Sequence, residues 1–503
     1  MKQLYRTEAQ TPTTDWVRNR IKPDQIERYM DNGRCFIDAG QIERHLRQIN
    51  EPDAGRLREI LAKSLDTQTL SPEETAMLLQ IEDEQMLAEM EETAAKVKKK
   101  VYDNRIVTFA PLYLNNQCVN NCLYCGFRND NKNAARKQLS LDEVRREVEV
   151  LAGKIGHKRL IVVYGEHPES NVDYMVETLR EISSVKVKAR KGYGQIRRCN
   201  VNAAPMQIEE LTRLAEAGIG TYQVFQETYH PDFYRKVHPP ATLKGDYLWR
   251  LYSMHRAMEA GIDDVGLGAL FGLYDWKFEV MGLLYHSIEL EQKFGVGPHT
   301  ISFPRLEPAT NTPFTEKPEY KVSDEDIRRI VTVLRLAVPH TGLILTAREN
   351  AHIRRELLPL GVTQTDASTR IGIGGYTEAD EKQDGPKQQF ILGDTRSLDD
   401  LVGELAQAGY ITSFCTAGYR CGRTGKCIMD LLRSGQEGKF CKLNAAITFR
   451  EWLDDFASEQ TRSVGEKVLA AEIQEIKQDM PNVYARFMEI YKKTAAGQRD
   501  LYF

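Results

Sequence analysis

Residues 106–127 read IVTFAPLYLNNQCVNNCLYCGF. The segment up to Leu114 is apolar and rich in β-branched and aromatic residues, the pattern of a strand buried on both faces. It runs directly into a polar loop in which Cys118, Cys122 and Cys125 are spaced C-x3-C-x2-C. Three thiolates on one short loop can ligate three irons of a cubane 4Fe-4S cluster, leaving the fourth iron without a protein ligand. An open iron is what a cluster needs if it is to bind and reduce a small molecule and not only relay electrons. Structural zinc would want four ligands, typically as paired C-x2-C units, and no fourth Cys or His lies close by in sequence.

Outward from this loop, apolar strand segments alternate with amphipathic helical ones from about residue 105 to 375. The strands are expected at IVTFAPLYL, RLIVVYGE, IRRCNVN, TYQVFQE, DVGLGALFGL, TISFPRLEP, GLILTARE and VTQTDASTRIGIGG. Helical segments such as SLDEVRREVEVLAGKIG, with a capping box from Ser140 to Glu143, lie between them. Eight strands alternating with helices predict an α/β fold, a (βα)8 barrel, whose chemistry sits at the C-terminal strand ends. The residues there are polar: Asn115, Asn116, Gly165, Glu166, Asn200, Asn202, Gln226, Glu227, Arg305, Arg348 and Glu349. The expected organisation is a helical N-terminal extension over 1–100, the barrel over 101–380, and a cysteine-rich region with a helical tail over 381–503. Ser71-Pro72-Glu73-Glu74 should open a helix running to about Lys100, whose terminal KVKKK complements the helix dipole.

Lys and Arg total 68 against 72 Asp and Glu, so the net charge of -4 gives no global field favouring nucleic acid or an anionic membrane. No apolar run approaches the roughly 20 residues that span a bilayer, and the N-terminus lacks the apolar core of a signal peptide. A cytoplasmic location is expected. There the nine cysteines would be thiols, and their clustering points to metal or redox chemistry before disulfides.

The C-x3-C-x2-C array, with Tyr124 before its last cysteine and a barrel strand before its first, resembles the radical S-adenosylmethionine (SAM) superfamily. The resemblance implies that the open iron of a 4Fe-4S cluster chelates SAM. An electron from the cluster then yields a 5'-deoxyadenosyl radical that abstracts hydrogen from the substrate. It implies that Gly165 and Glu166 meet the SAM amino group, although Tyr164 replaces the first glycine of the usual motif. Glu227 would contact the ribose or amino group, and Gly266 and Gly268 would flank adenine.

Longer runs, among them GIGTYQVFQETYH, AGIDDVGLGALFGLYD and FGVGPHTISFPRLEPA, are similar to the FeFe-hydrogenase maturase tyrosine lyases (HydG type), relatives of the 2-iminoacetate synthases. This resemblance implies cleavage of the tyrosine Cα–Cβ bond to p-cresol and dehydroglycine, and a C-terminal auxiliary domain of the biotin and thiamin synthesis-associated type. In the maturases that domain holds a second iron-sulfur cluster in a C-x2-C-x22-C array, with an extra iron on which CO and cyanide are assembled. Here Cys415 and Cys441 match the outer cysteines, but Gly418 occupies the middle position. Cys421 and Cys427 are additional thiols on the same loop. A rewired cluster, a site without a cluster, and a zinc or redox site all remain open. His286 lies where the resemblance places the ligand of the extra iron. Arg305 is expected to grip the substrate carboxylate, while Glu307 stands where the family tends to carry a basic residue.

The functional expectation is a radical SAM lyase acting on an amino acid, with tyrosine foremost. Its partners would be a low-potential donor such as flavodoxin or ferredoxin, and other hydrogenase maturases. The rivals are a paralogous lyase that makes no CO or cyanide, and an iron-sulfur scaffold or carrier without turnover.

Overall fold

The computed structural model describes residues 10–378, 383–421, 424–434 and 437–503. Eight parallel strands form the barrel: β1 (Arg105–Asn115), β2 (Arg159–Tyr164), β3 (Arg198–Asn202), β4 (Tyr222–Gln223), β5 (Val265–Gly268), β6 (Thr300–Ser302), β7 (Gly342–Leu345) and β8 (Gln364–Asp366). Each pairs with its neighbour in chain order, and β8 returns to β1 through Val107↔Gln364 and Phe109↔Asp366, which closes the barrel. All eight lie where the alternating pattern predicts; β1 and β3 reach their expected ends, and the other six stop earlier. Past Gln223, for example, the chain leaves the ladder and turns at Glu227, whose φ of 71° is left-handed. Departures of this kind free the strand ends to carry functional side chains.

A ninth strand, β9 (Ile411–Ser413), pairs in parallel with the first residues of β1, with Ile411 opposite Arg105. It was not anticipated, and neither was the small hairpin of Val187–Lys188 and Tyr193–Gly194. β9 brings Cys415 to the N-terminal end of the barrel, the end opposite the Cys118–Cys125 loop.

The N-terminal extension is helical, with one change from expectation. The capping box at Ser71 and Glu74 forms, but its helix, Pro72–Gln80, stops short, and a second helix covers Glu84–Tyr102. The break is stabilised twice: Ile81 is fully buried in an extended conformation, and the Asp83 side chain accepts from Met86 N to cap the second helix. Of the terminal lysines, Lys98 is buried and donates to Leu358 O, while Lys100 donates to Leu65 O.

The apolar core is continuous, reaching from Ile42 through the barrel helices to Phe487. The C-terminal helix Glu437–Asp455 is pinned to the barrel by a buried ion cluster. Lys158 Nζ donates to Glu451 Oε1 at 2.7 Å, both side chains being fully buried, and Arg197 Nη1 donates to Oε2 at 3.0 Å. Removing one member strands the others in a low-dielectric interior. Glu451→Ala is therefore expected to destabilise the fold by about 3–5 kcal/mol, a loss that chemical denaturation would read directly. No helix among the described residues is long and apolar enough to cross a membrane.

Candidate active site

The C-terminal end of the barrel holds a cavity lined by Cys118, Cys122 and Cys125 on one side and by Arg348, Phe390 and Leu392 on another. The cysteine loop is held in place by its neighbours. Asn115 Oδ1 accepts from Gln117 N at 2.7 Å, and Arg136 donates to the carbonyls of Asn116, Phe127 and Arg128 at 2.6–2.7 Å. The loop also lies across the end of β2, where Gly165 N donates to Asn115 O and Val119 N to Glu166 O. A Cβ at residue 165 would fall 2.0 Å from Gln117 O, so this approach requires glycine.

Burial pushes the Cys118 and Cys122 thiols up, while Lys244 acts on Cys122 in the opposite direction. Thiols so placed ionise only with strong cationic compensation, which bound iron provides. Hydrogen-bond donors are already aimed at the sulfurs: Asn120 Nδ2 lies 3.6 Å from Cys118 Sγ, and Gln389 Nε2 lies 3.5 Å from Cys125 Sγ. This donor set fits three thiolates of an iron-sulfur cluster. No three His, Cys, Asp or Glu side chains among the described residues converge as they would around a single ion.

Glu166 is buried, and its Oε2 accepts from Asn120 Nδ2 at 2.5 Å, tying β2 to the cysteine loop. Glu227 lines the same cavity and accepts from Lys244 Nζ at 2.6 Å and Arg250 Nη2 at 3.2 Å. Burial alone would raise its carboxyl, but these two cations hold it below the usual range. Lys244 and Arg250 were missed from sequence because both lie in the helical segment after β4, away from any strand end. Tyr124 is oriented by His238: Nδ1 of the imidazole faces Tyr234 O at 3.0 Å, and Nε2 faces the Tyr124 hydroxyl at 2.8 Å. Gly266 and Gly268 are not among the cavity-lining residues. They pack against the side chains of Gln223 and Phe225.

Arg305 differs from expectation, because it does not line the cavity. Its guanidinium is taken up by Glu349 on two nitrogens, with Nε to Oε1 at 2.8 Å, and by Asp324 Oδ1 at 2.7 Å. A fork already saturated by two carboxylates has no donor pair left for a third. Among the described residues, two other guanidiniums line the cavity: Arg250, which Glu227 holds, and Arg348. The Arg348 guanidinium carbon lies over the Phe390 ring, 3.3 Å from its centroid, and the one hydrogen bond of Arg348 among the described residues is a long one to Arg305 O at 3.5 Å. Burial lowers its pKa, opposed by Tyr113 and Glu307. Glu307 sits just outside the lining, and burial together with Glu349 raises its carboxyl to about 7, opposed by Arg348 and Arg305.

Among the described residues, those expected at a second metal site form no group of three metal-ligating side chains. His286 is buried on the helix Trp276–Phe294, with Nδ1 facing the Tyr229 hydroxyl at 2.9 Å and its ring against Phe36 and His255. Burial holds it well below the ordinary histidine pKa. It lines neither the cavity nor any group of three metal-ligating side chains among the described residues. Cys427 is exposed on the helix Gly425–Arg433, and the side chain of Cys421 lies outside the described residues. Cys441 is half-buried on the helix Glu437–Asp455. Cys415, in a left-handed conformation with φ 49°, faces the barrel floor, where Arg198 Nη1 approaches its Sγ at 3.5 Å. Arg198 also pairs with Asp264 at 2.6 Å, and His299 and Arg198 hold that carboxyl low against the effect of its burial. The sequence reading missed this polar floor, because it is assembled from the first residues of several strands and not from their C-terminal ends.

Comparison with known proteins agrees with this architecture. Residues 112–281 match the radical SAM superfamily, and residues 302–411 match the biotin and thiamin synthesis associated domain, a range that includes the last two barrel strands. Among solved structures, the chain is similar to a HydG, a maturase of the FeFe-hydrogenase, at 45% identity and a TM-score of 0.87, covering 93% of this chain and 100% of that one. It is also similar to HydG from Carboxydothermus hydrogenoformans, at 36% identity and a TM-score of 0.76, over 95% and 100% of the two chains. The 2-iminoacetate synthase of Salmonella typhimurium (strain LT2) is 29% identical over 365 residues, 71% of this chain and 89% of that protein. A scaffold that only carries a cluster is not what these relatives describe. With a closed barrel, three cysteines in one cavity at its C-terminal end and similarity along nearly its whole length, the chain belongs to the HydG family of radical SAM enzymes, whose cofactors are a 4Fe-4S cluster and SAM.

Proposed function

We propose that this protein cleaves the Cα–Cβ bond of tyrosine, releasing p-cresol and dehydroglycine. One observation carries the reading: a single cavity presents three thiols together with a guanidinium, that of Arg348, which pairs with no carboxylate among the described residues. Cys118, Cys122 and Cys125 would hold the cluster, Glu166 with Gly165 would receive the SAM amino group, and Glu227 would receive its ribose or amino group. When bound, the cluster and SAM supply the radical that removes hydrogen from the substrate. The remaining work belongs to this chain. Arg348 binds the amino acid carboxylate through its planar fork, and Phe390 keeps that plane fixed by stacking. Phe390 and Leu392, both from the segment after the barrel, cover the cavity against water. A low-potential flavodoxin or ferredoxin would provide electrons.

The test is an anaerobic panel of amino acids offered to the reconstituted enzyme with SAM and reductant. Tyrosine is expected to be the one consumed. Preferential loss of another amino acid would overturn the assignment.

Glu307 gives the substrate site a pH dependence of definite sign. Its carboxyl, raised to about 7, faces Arg348, Arg305 and Glu349. Below that pH it is neutral and leaves Arg348 to the substrate; above it, the carboxylate competes for the same guanidinium. The KM for tyrosine is expected to rise as pH climbs through about 7, by less than about tenfold, the equivalent of one pKa unit of interaction. Glu307→Gln should flatten this rise, and identical profiles for the two proteins would exclude the competition.

A second reading, onward conversion of dehydroglycine to CO and cyanide for delivery to other hydrogenase maturases, is favoured by the overlap with HydG through the C-terminal region. With Gly418 in the middle ligand position, the missing thiolate would have to come from Cys421 or Cys427. CO trapped by reduced haemoglobin in the tyrosine reaction would support that reading, and p-cresol without CO would confine the enzyme to the lyase step.

A further inference from the structure

In the segment that follows the barrel, Gln389 meets the cysteine loop twice and the preceding strand once. Its backbone carbonyl accepts from Gly126 N at 3.1 Å. A Cβ on residue 126 would lie 2.6 Å from that oxygen, so the strap can dock only against glycine. Its side-chain Oε1 accepts from the Tyr113 hydroxyl at 3.0 Å, and its Nε2 is directed at Cys125 Sγ at 3.5 Å. Tyr113 is a buried residue of β1, so the anchor of the amide is rigid. With Oε1 held by a donor, the amide nitrogen is left facing the sulfur. The flipped amide could still bond the Tyr113 hydroxyl, by donating to it, but would set a carbonyl oxygen against a thiolate, so the sulfur decides the orientation. The strap is further fixed by Ala135 N, which donates to Pro386 O at 3.0 Å.

We propose that Gln389 is a positioning residue that sets the reduction potential of the cluster by donating its side-chain amide to the Cys125 sulfur. This rests on the reading that Cys118, Cys122 and Cys125 hold the cluster. The physical basis is charge. Reduction adds one electron, and the negative charge spreads onto the ligating sulfurs. An N–H donor therefore stabilises the reduced state more than the oxidised one and raises the potential. Asn120 offers Cys118 a similar contact from within the same loop. Gln389 differs because it arrives from 264 residues away in sequence, so its contribution is present only when the strap is docked.

The test is an EPR-monitored redox titration of the reconstituted full-length protein, wild type against Gln389→Leu. Leucine removes the donor and keeps most of the apolar bulk that excludes water. The midpoint is expected to move to a more negative potential at unchanged iron and sulfide content. With glutamine labelled by 15N in its side chain, the reduced wild-type cluster should show a nitrogen coupling by pulsed EPR that the variant lacks. A variant with full iron, an unshifted midpoint and an unchanged coupling would overturn the proposal.

If Gln389→Leu fails to hold iron, Tyr113→Phe decides, since it frees the amide without altering the strap or the cysteines. A smaller shift in the same direction supports the proposal, and no shift overturns it. A control with Cys118, Cys122 and Cys125 all changed to Ala separates the two levels. If that protein still carries a cluster with the wild-type signal, the underlying cluster assignment fails; if it carries none, a null result at Gln389 counts against this inference alone.

Discussion

Cys118→Ala is expected to reduce 5'-deoxyadenosine formation to background, the largest effect of any single substitution in this protein. The three thiols are not interchangeable with neighbouring groups. Cys118 lies in a loop fixed by Arg136 and by the end of β2, and among the described residues no cysteine besides Cys118, Cys122 and Cys125 lines the cavity. Loss of one thiol would leave only Cys122 and Cys125 to hold the cluster, too few to retain it in the form that binds SAM. Iron analysis should show loss or degradation of the cluster, and chromatography of a tyrosine-containing reaction should show intact SAM. Measurable 5'-deoxyadenosine from this variant would mean that the radical chemistry is seated elsewhere.

The second large effect is expected at Arg348. A charge-assisted hydrogen bond contributes about 1.5–3 kcal/mol, and a guanidinium can make two to one carboxylate. Arg348→Ala should therefore lower kcat/KM for tyrosine by about 100-fold or more, the equivalent of at least 2.7 kcal/mol. SAM binding should persist, because Glu166, Glu227, Lys244 and Arg250 are untouched. Slow SAM cleavage without p-cresol is the expected signature. Arg348→Lys should recover only part of the loss, since the charge returns without the planar fork. Arg305→Ala is the matched control: its partners are Glu349 and Asp324, so it should weaken the local fold and leave the KM for tyrosine nearly unchanged. The opposite pattern, with KM moved by Arg305 and not by Arg348, would return the substrate grip to the residue the sequence favoured.

The difference between those two arginines shows where sequence reading was sufficient and where it stopped. The cysteine spacing and the alternation of strand and helix were strong local signals, and both led to the barrel and to the loop that opens its site. Both arginines sit at strand ends, so position alone did not separate them. The deciding information is the alternation of side-chain direction along an extended chain. Pro304 and Leu306 line the cavity, so Arg305 between them points away and meets Glu349. Arg348 is outside that alternation: it lies in the turn after β7, where Glu349 N donates to Thr346 O, and Thr346, Ala347 and Arg348 all line the cavity. The alternation around Arg305 also places Glu307 beside the cavity and not in it.

Other features were beyond local pattern. The helix break at Ile81 depends on a buried side chain finding the core, and Gln389 reaches Cys125 from a loop with no periodicity to read. His286 was placed by resemblance, and its position against Tyr229 and His255 is a matter of tertiary packing.

The central claim is that one cavity couples SAM cleavage to tyrosine cleavage. The most direct measurement follows 5'-deoxyadenosine and p-cresol together, over time, in anaerobic reactions of the reconstituted wild-type protein with SAM, reductant and tyrosine. The account expects both products to accumulate at the same rate, in a ratio near one, and 5'-deoxyadenosine to slow sharply when tyrosine is omitted. Steady 5'-deoxyadenosine formation beside undiminished tyrosine would contradict it.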